Sequence, residues 1–101
     1  MNIKQGDAYP IEIAVKLDGS GVDITDVALA EFYIGGIRKT YPEEAVYEDG
    51  VFRIPLSQQD TFTLSGSAQV DVRVKFRGGT VIGIDRKLNL KVADATSEEV
   101  L

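Results

Sequence analysis

The sequence predicts an all-β fold: an antiparallel, immunoglobulin-like β-sandwich of about seven strands with one short helical turn near residues 57–61. Apolar and polar residues alternate with a period of two along most of the chain, as in strands that are buried on one face. Turn residues separate these runs at intervals of about 8 to 12 residues. No segment offers the crossover helices that a parallel sheet requires, and a small barrel is the alternative architecture.

The first strand is predicted to follow Pro10, and the turn residues of 18–21 end it. The side chains that alternate toward the core are Ile11, Ile13, Val15 and Leu17. A short extended piece is expected at 22–24. Asp18, Asp23 and Asp26 could gather around a calcium ion, but ordinary turn chemistry explains the same residues.

Two hairpins are predicted from their turns. Gly35-Gly36 would join strands 28–34 and 37–41, and Asp49-Gly50 would join 46–48 to 51–54, because both dipeptides tolerate the positive φ angles of tight hairpin turns. A single helical turn should follow, since Ser57 can accept from free backbone amides and Asp60 stands three residues later.

The most regular alternation runs through residues 68–76. Gly78-Gly79 should turn that strand back into residues 80–84, with a bend or bulge at Gly83, and the inward pattern resumes at 88–92. We expect residues 1–92 to form the sandwich domain and residues 93–101 a C-terminal tail.

The amino-acid composition argues against most kinds of catalytic and ligand-binding site. The 101 residues include 11 basic and 16 acidic side chains, for a net charge of −5, and neither Cys nor His. We therefore expect no cofactor, no metal site, no catalytic site and no nucleic-acid binding. Glu12, Asp71 and Asp85 are the carboxylates available on or beside strands, but Glu12 and Asp71 alternate with core residues and would face water, where carboxylates are ordinary solvated charges. The chain shows neither the run of roughly 20 apolar residues of a membrane helix nor a signal-peptide start, so an intracellular protein without membrane contact is predicted.

Two features predict a docking surface. Apolar residues fall on both faces of one strand at Val81, Ile82 and Ile84, and Tyr33 stands beside two further apolar residues. A basic row is formed by Arg73, Lys75 and Arg77. For the basic row the alternative is ordinary solvated surface charge, and for the apolar patch it is cover by a loop or by the C-terminal tail. Residues 1–50 carry four basic and ten acidic side chains against seven and six in 51–101, so head-to-tail pairing steered by charge is a further possibility.

Four segments, taken in order, carry a resemblance to a known family. They are Gln5-Gly6-Asp7, residues 22–26 before 28–32, Leu56-Ser57-Gln58-Gln59-Asp60-Thr61, and residues 69–76. This layout resembles the small immunoglobulin-like domains of tailed-phage structural proteins, in particular the N-terminal domain of upper baseplate proteins in phages and prophages of Gram-positive bacteria. The resemblance covers about residues 3 to 92.

The resemblance implies a non-enzymatic structural or adaptor protein of a phage or prophage particle, in its baseplate, tail or head. Such a protein would be assembled in the bacterial cytoplasm, reside in the virion, and bind other virion proteins or copies of itself, including as a homo-oligomer. The alternative from another class is a carbohydrate-binding or cell-surface immunoglobulin-like binding module. That alternative would depend on Tyr41 and Tyr47 near loops, since the chain has no Trp.

Overall fold

The computed structural model describes residues 2–17, 20–84 and 88–95. These residues form a predominantly β structure, which confirms the predicted all-β class. The strands are β1 (Asn2–Lys4), β2 (Ile11–Ile13), β3 (Lys16–Leu17), β4 (Ser20–Gly21), β5 (Val27–Ile34), β6 (Ile37–Tyr41), β7 (Val46–Glu48), β8 (Val51–Ile54), β9 (Gly66–Phe76), β10 (Val81–Gly83) and β11 (Leu88–Ala93), and the helix α1 is Gln58–Phe62.

The larger of the sheets has six strands in the order β1-β11-β9-β5-β6, and β10 pairs with β9 beside β11. Most pairs are antiparallel, but β1 runs parallel to β11, with Ile3 opposite Val92. The prediction of a wholly antiparallel sheet was therefore wrong. A three-residue strand is too short to show a period, and its partner lies at the other end of the domain, so no local pattern marks the pair.

A smaller sheet has the order β2-β8-β7, and β3 and β4 form a separate two-stranded pair. The inner faces of the two larger sheets share one core around Phe52, which is fully buried. Its ring centroid lies 5.2 Å from that of Phe32, 4.8 Å from that of Tyr47 and 5.3 Å from that of Tyr41. Ring contacts at these distances add to the stabilisation from apolar burial.

Both predicted hairpins are confirmed. Ile34 lies opposite Ile37 across the two-glycine turn, and Gly35 has φ +59°. A side chain at Gly35 would also approach a methyl of Leu64 to 2.9 Å, so the site requires glycine on two grounds. Asp49 joins β7 to β8 with φ +52°, the left-handed conformation expected of an Asp-Gly turn.

The first predicted strand is divided. β2 pairs with β8 in the small sheet, whereas β3 pairs with β4. The extended piece expected at 22–24 gives way to a 3-10 turn at Ile24–Asp26. Asp23 caps that turn by accepting from the Thr25 hydroxyl at 2.6 Å and amide at 3.1 Å, and these bonds lower the pKa of Asp23. Its carboxylate thus serves the turn, while Asp18 lies outside the described residues.

The helical turn predicted near 57–61 is α1, with its expected capping box. The Asp60 amide donates to the Ser57 hydroxyl at 3.0 Å and the Ser57 amide donates to the Asp60 carboxylate at 2.9 Å. The N-terminal segment docks on this helix: the Gly6 amide donates to the buried Thr61 hydroxyl at 2.9 Å, and the Gln58 side-chain amide donates to the Gly6 carbonyl at 3.0 Å. These bonds join two segments that are distant in sequence.

Candidate docking surface

The outer face of the large sheet comprises the side chains that point away from the core. On β9 the residues Val70, Val72 and Val74 are buried, so the intervening residues, which include Arg73 and Lys75, point outward. The same alternation on the other strands assigns the charged members of this face: Lys4, Arg38, Arg73, Lys75 and Lys91, with Glu31 and Asp71. Among the described residues this face therefore carries five cations and two anions on a chain whose net charge is −5.

Glu31 lies at the centre of this face between two arginines. Arg38 Nε donates to Glu31 Oε2 at 2.7 Å, and Arg73 donates to Oε1 through Nε at 3.0 Å and Nη2 at 2.7 Å. The Glu31 side chain is only 11% exposed as a result. The hydrogen bond from Arg38, followed by that from Arg73, holds the pKa of Glu31 below its ordinary value. The carboxylate thus stays ionised and fixes both guanidinium groups in place.

Apolar side chains border the charged centre. Leu29 and Val81 lie on either side of Lys75 across three adjacent strands, and Val81 is 55% exposed. Together with Glu31 and Arg73 they line a shallow depression of about 220 Å³. A row of apolar groups beside oriented guanidinium groups is the composition that protein-protein contacts favour.

The structure brings together four of the seven predicted partner-binding residues. Tyr33, Arg73, Lys75 and Val81 all lie on the outer face. Tyr33 pairs with Asp71 on one side and with Arg38 on the other, and it is one of the exposed large apolar residues.

The other three predicted residues lie elsewhere. Ile82 is opposite Val74 and so points to the other side of β10, where it is still 36% exposed. Ile84 packs against the core, and its amide is bonded to the Val72 carbonyl. Arg77 follows the end of β9 and donates from Nε to the Thr25 carbonyl at 2.8 Å. The period of two explains the division of the apolar run, because only every second residue of β10 can share a face with Lys75.

Sequence reasoning missed Leu29, Glu31 and Arg38. The two-residue turn at Gly35-Gly36 fixes the register of its hairpin, which sets Arg38 opposite Tyr33. Alternation from Tyr33 then leads to Glu31, so both residues could have been found. Leu29 follows a bulge at Ala28, where the pairing shifts between Val27 and Leu29, and no local signal marks that shift.

The two tyrosines needed by the carbohydrate-binding alternative have another role. The ring of Tyr41 meets Phe52 edge-on and the ring of Tyr47 packs at 4.8 Å from it. Both side chains are partly buried against the core. Tyr41 of the large sheet thus packs on Phe52 of the small sheet, and Tyr47 packs on Phe52 within the small sheet. Neither ring forms an exposed platform for a sugar.

Comparisons with protein-family models, with curated proteins and with solved structures each find no match for this chain. Within the described residues, no group of three or more acidic side chains is arranged to hold a metal ion. The helix of the described ranges is too short to span a membrane.

Proposed function

We propose that this protein is a non-enzymatic structural or adaptor component of a tailed-phage or prophage particle. In this proposal an immunoglobulin-like sandwich docks through the outer face of its large sheet onto other virion proteins or copies of itself. The observation that carries the proposal is the order of the four segments that resemble the N-terminal domain of upper baseplate proteins, between about residues 3 and 92.

Contacts between two of those segments support this proposal. Gly6, in the first segment, exchanges hydrogen bonds with Gln58 and Thr61 in the third, and the Thr61 hydroxyl donates to the Asp7 carbonyl at 2.9 Å. The bonded residues are more than fifty positions apart in the sequence, so their contact is a tertiary feature. The packing of two sheets about Phe52 is in keeping with the proposed sandwich.

The chemistry of the outer face also supports docking over catalysis. The full sequence has no Cys or His, so it lacks the thiolate nucleophile and the imidazole base that act near neutral pH. Glu31, the most enclosed carboxylate of the face, has a lowered pKa and both oxygens occupied by arginine donors. It is therefore a weak proton acceptor, whereas its two arginines are well oriented for contact with a partner.

Particle composition tests the proposal. Particles purified from bacteria that carry the gene should contain the protein, detected by mass spectrometry. A Leu29→Asp plus Val81→Asp variant should fall to about a tenth of the wild-type amount or less, since each exposed apolar contact of this kind contributes on the order of 1 kcal/mol. Tyr9→Asp plus Gln59→Asp is the control, because it adds the same two charges at exposed positions on neither outer face.

Two results would contradict the proposed function. Particles that lack the wild-type protein, although cells express it, exclude a virion role. Neighbouring genes that encode a metabolic operon, in place of portal, capsid, tail-tube or lysis proteins, would contradict it independently.

A further inference from the structure

The small sheet has an outer face of its own. Ile13 and Phe52 point into the core, so their neighbours in the paired strands point away from it. In the register of β2, β8 and β7, Arg53 lies opposite both Glu12 and Val46. The charged members of this face are Glu12, Glu48 and Arg53, and Asp49 adds a carboxylate in the turn at its end. This face is therefore acidic, in contrast to the outer face of the large sheet.

The two outer faces match in a second respect. Val81 at 55% and Val46 at 49% are the most exposed large apolar side chains among the described residues, and each face holds one of them. On the large sheet Val81 lies beside Lys75, whereas on the small sheet Val46 lies two residues from Glu48 on the same strand face. Each face thus holds one exposed valine among charged side chains, which are mostly cations on the large sheet and mostly carboxylates on the small sheet, where Val46 also lies opposite Arg53.

The two faces lie on opposite sides of one core, so a single molecule cannot bring them into contact. We infer that the outer face of the large sheet binds the outer face of the small sheet of a second copy, so that copies of this chain associate head to tail. This inference rests on the proposed docking role of the large-sheet face and names its partner. Since the two surfaces differ, the contact is heterologous, and its repetition gives a ring or an open stack.

The size of the small sheet limits how strongly two copies can associate. Three strands of three or four residues, spaced about 4.8 Å apart, offer less than the roughly 800 Å² per partner of a standard interface. Association should therefore be weak, and much of it should depend on charge. Raising the salt concentration should weaken it, because exposed charges are screened over about 10 Å at 0.1 M ionic strength.

Sedimentation velocity over a concentration series tests the inference with charge reversals. Lys75→Glu reverses a charge on the large-sheet face and Glu48→Lys reverses one on the small-sheet face. Each variant alone should need about tenfold more protein than wild type to reach the same average mass, because each places like charges across the contact. An equimolar mixture of the two variants should recover association to within about twofold of the wild-type curve, since each reversed face meets its complement on half of the molecules.

Two controls separate this contact from an effect of net charge. Lys75→Glu makes the chain more acidic and Glu48→Lys makes it less so, so a net-charge effect would move the two variants in opposite directions. The double variant Lys75→Glu plus Glu48→Lys keeps the wild-type net charge, reverses both faces and should associate as wild type does. Glu43→Lys, at an exposed position in the turn after β6, matches the charge change of Glu48→Lys and should have no effect.

Several outcomes would overturn the inference. A wild type that stays monomeric at every concentration contradicts it, and so does a mixture that fails to recover association. If Lys75→Glu weakens association but Glu48→Lys does not, the contact joins two large-sheet faces and the head-to-tail arrangement is wrong. These results leave the particle-composition test unaffected, because a monomeric protein can still be found in particles, so failure of this inference is distinguishable from failure of the proposed function.

Discussion

The two outer faces of the molecule carry inverse charge clusters that differ in how tightly they are built. On the large sheet one carboxylate, that of Glu31, lies between two arginines at 2.7 to 3.0 Å. On the small sheet one guanidinium, that of Arg53, lies between two carboxylates, with its nitrogens 3.3 Å from Glu12 and 3.9 Å from Glu48. The Glu31 side chain is 11% exposed and the Arg53 side chain 39%. Three charges on neighbouring strands therefore do not by themselves make a rigid cluster.

Side-chain length explains the difference. In both clusters the single charge stands on the middle strand of three and its two partners stand on the flanking strands. An arginine is long enough to fold over a glutamate and presents several donors in a fixed plane, so two arginines cover Glu31. Two glutamates are too short to cover an arginine, and the Arg53 side chain stays 39% exposed. Its Nε is buried but has no hydrogen-bond partner among the described residues.

The largest expected effect comes from the core on which both faces depend. Phe52→Ala should lower the free energy of unfolding by about 3–5 kcal/mol, because Phe52 is fully buried and contacts three aromatic rings. Urea denaturation measures this loss. The two sheets should also unfold together, so that probes on either face report one transition. Separate transitions would mean that the faces belong to independent units.

A second variant removes the charge at the centre of the large-sheet cluster. Glu31→Gln should lower the free energy of unfolding by about 1 kcal/mol. This is less than a buried charge-assisted hydrogen bond contributes, because both arginines are exposed to solvent. Chemical denaturation at neutral pH gives the value. A variant as stable as wild type would show that the short distances around Glu31 contribute nothing to folding.

The difference in stability between wild type and Glu31→Gln should depend on pH, and the sign of this dependence follows from the lowered pKa of Glu31. A carboxyl group with a lower pKa in the folded state stabilises the fold above its unfolded value, here about 4.5, and loses that contribution as the pH falls through the folded value. The stability difference between wild type and Glu31→Gln should therefore be constant near neutral pH and shrink below about pH 4.5. The lowered pKa values of Asp23 and Asp60 cancel in this difference. A difference that grows on acidification would contradict the assigned cause.

The smallest effect is expected on the small sheet. Arg53→Met should change the free energy of unfolding by no more than about 0.5 kcal/mol, because the ion pairs of Arg53 are long and exposed. The methionine keeps most of the apolar stem. Denaturation under the conditions used for Glu31→Gln makes the two clusters directly comparable. An equal loss of unfolding free energy in both variants would show that the two charge clusters stabilise the fold to the same extent.

The elements predicted correctly are those with a local chemical signal. Gly35-Gly36 and Asp49-Gly50 identify their hairpins through the φ angles they permit, and Ser57 with Asp60 identifies α1 through the capping box. Residues 68–76 alternate without interruption and lie within β9. In each case the information lies within a few neighbouring residues, which is where sequence patterns are informative.

The features that escaped prediction depend on contacts between distant residues. Nothing in Asn2–Lys4 indicates a parallel partner in Leu88–Ala93. The bulge at Ala28 places Leu29 beside Lys75, but it arises from the pairing of β5 with β9. Tyr33 and the predicted residues Arg73, Lys75 and Val81 lie on the outer face of the large sheet. Glu31 could have been added from the hairpin register, whereas its contact with Arg73 depends on the pairing of β5 with β9.

Backbone amide chemical shifts, followed by NMR as the protein is diluted, test most directly whether the two outer faces bind each other. Amides near Lys75 and Val81 on one face and near Val46 and Glu48 on the other should shift with the same concentration midpoint, while amides around Phe52 stay constant. Shifts on only one of the two faces, or none at any concentration, would contradict the head-to-tail contact.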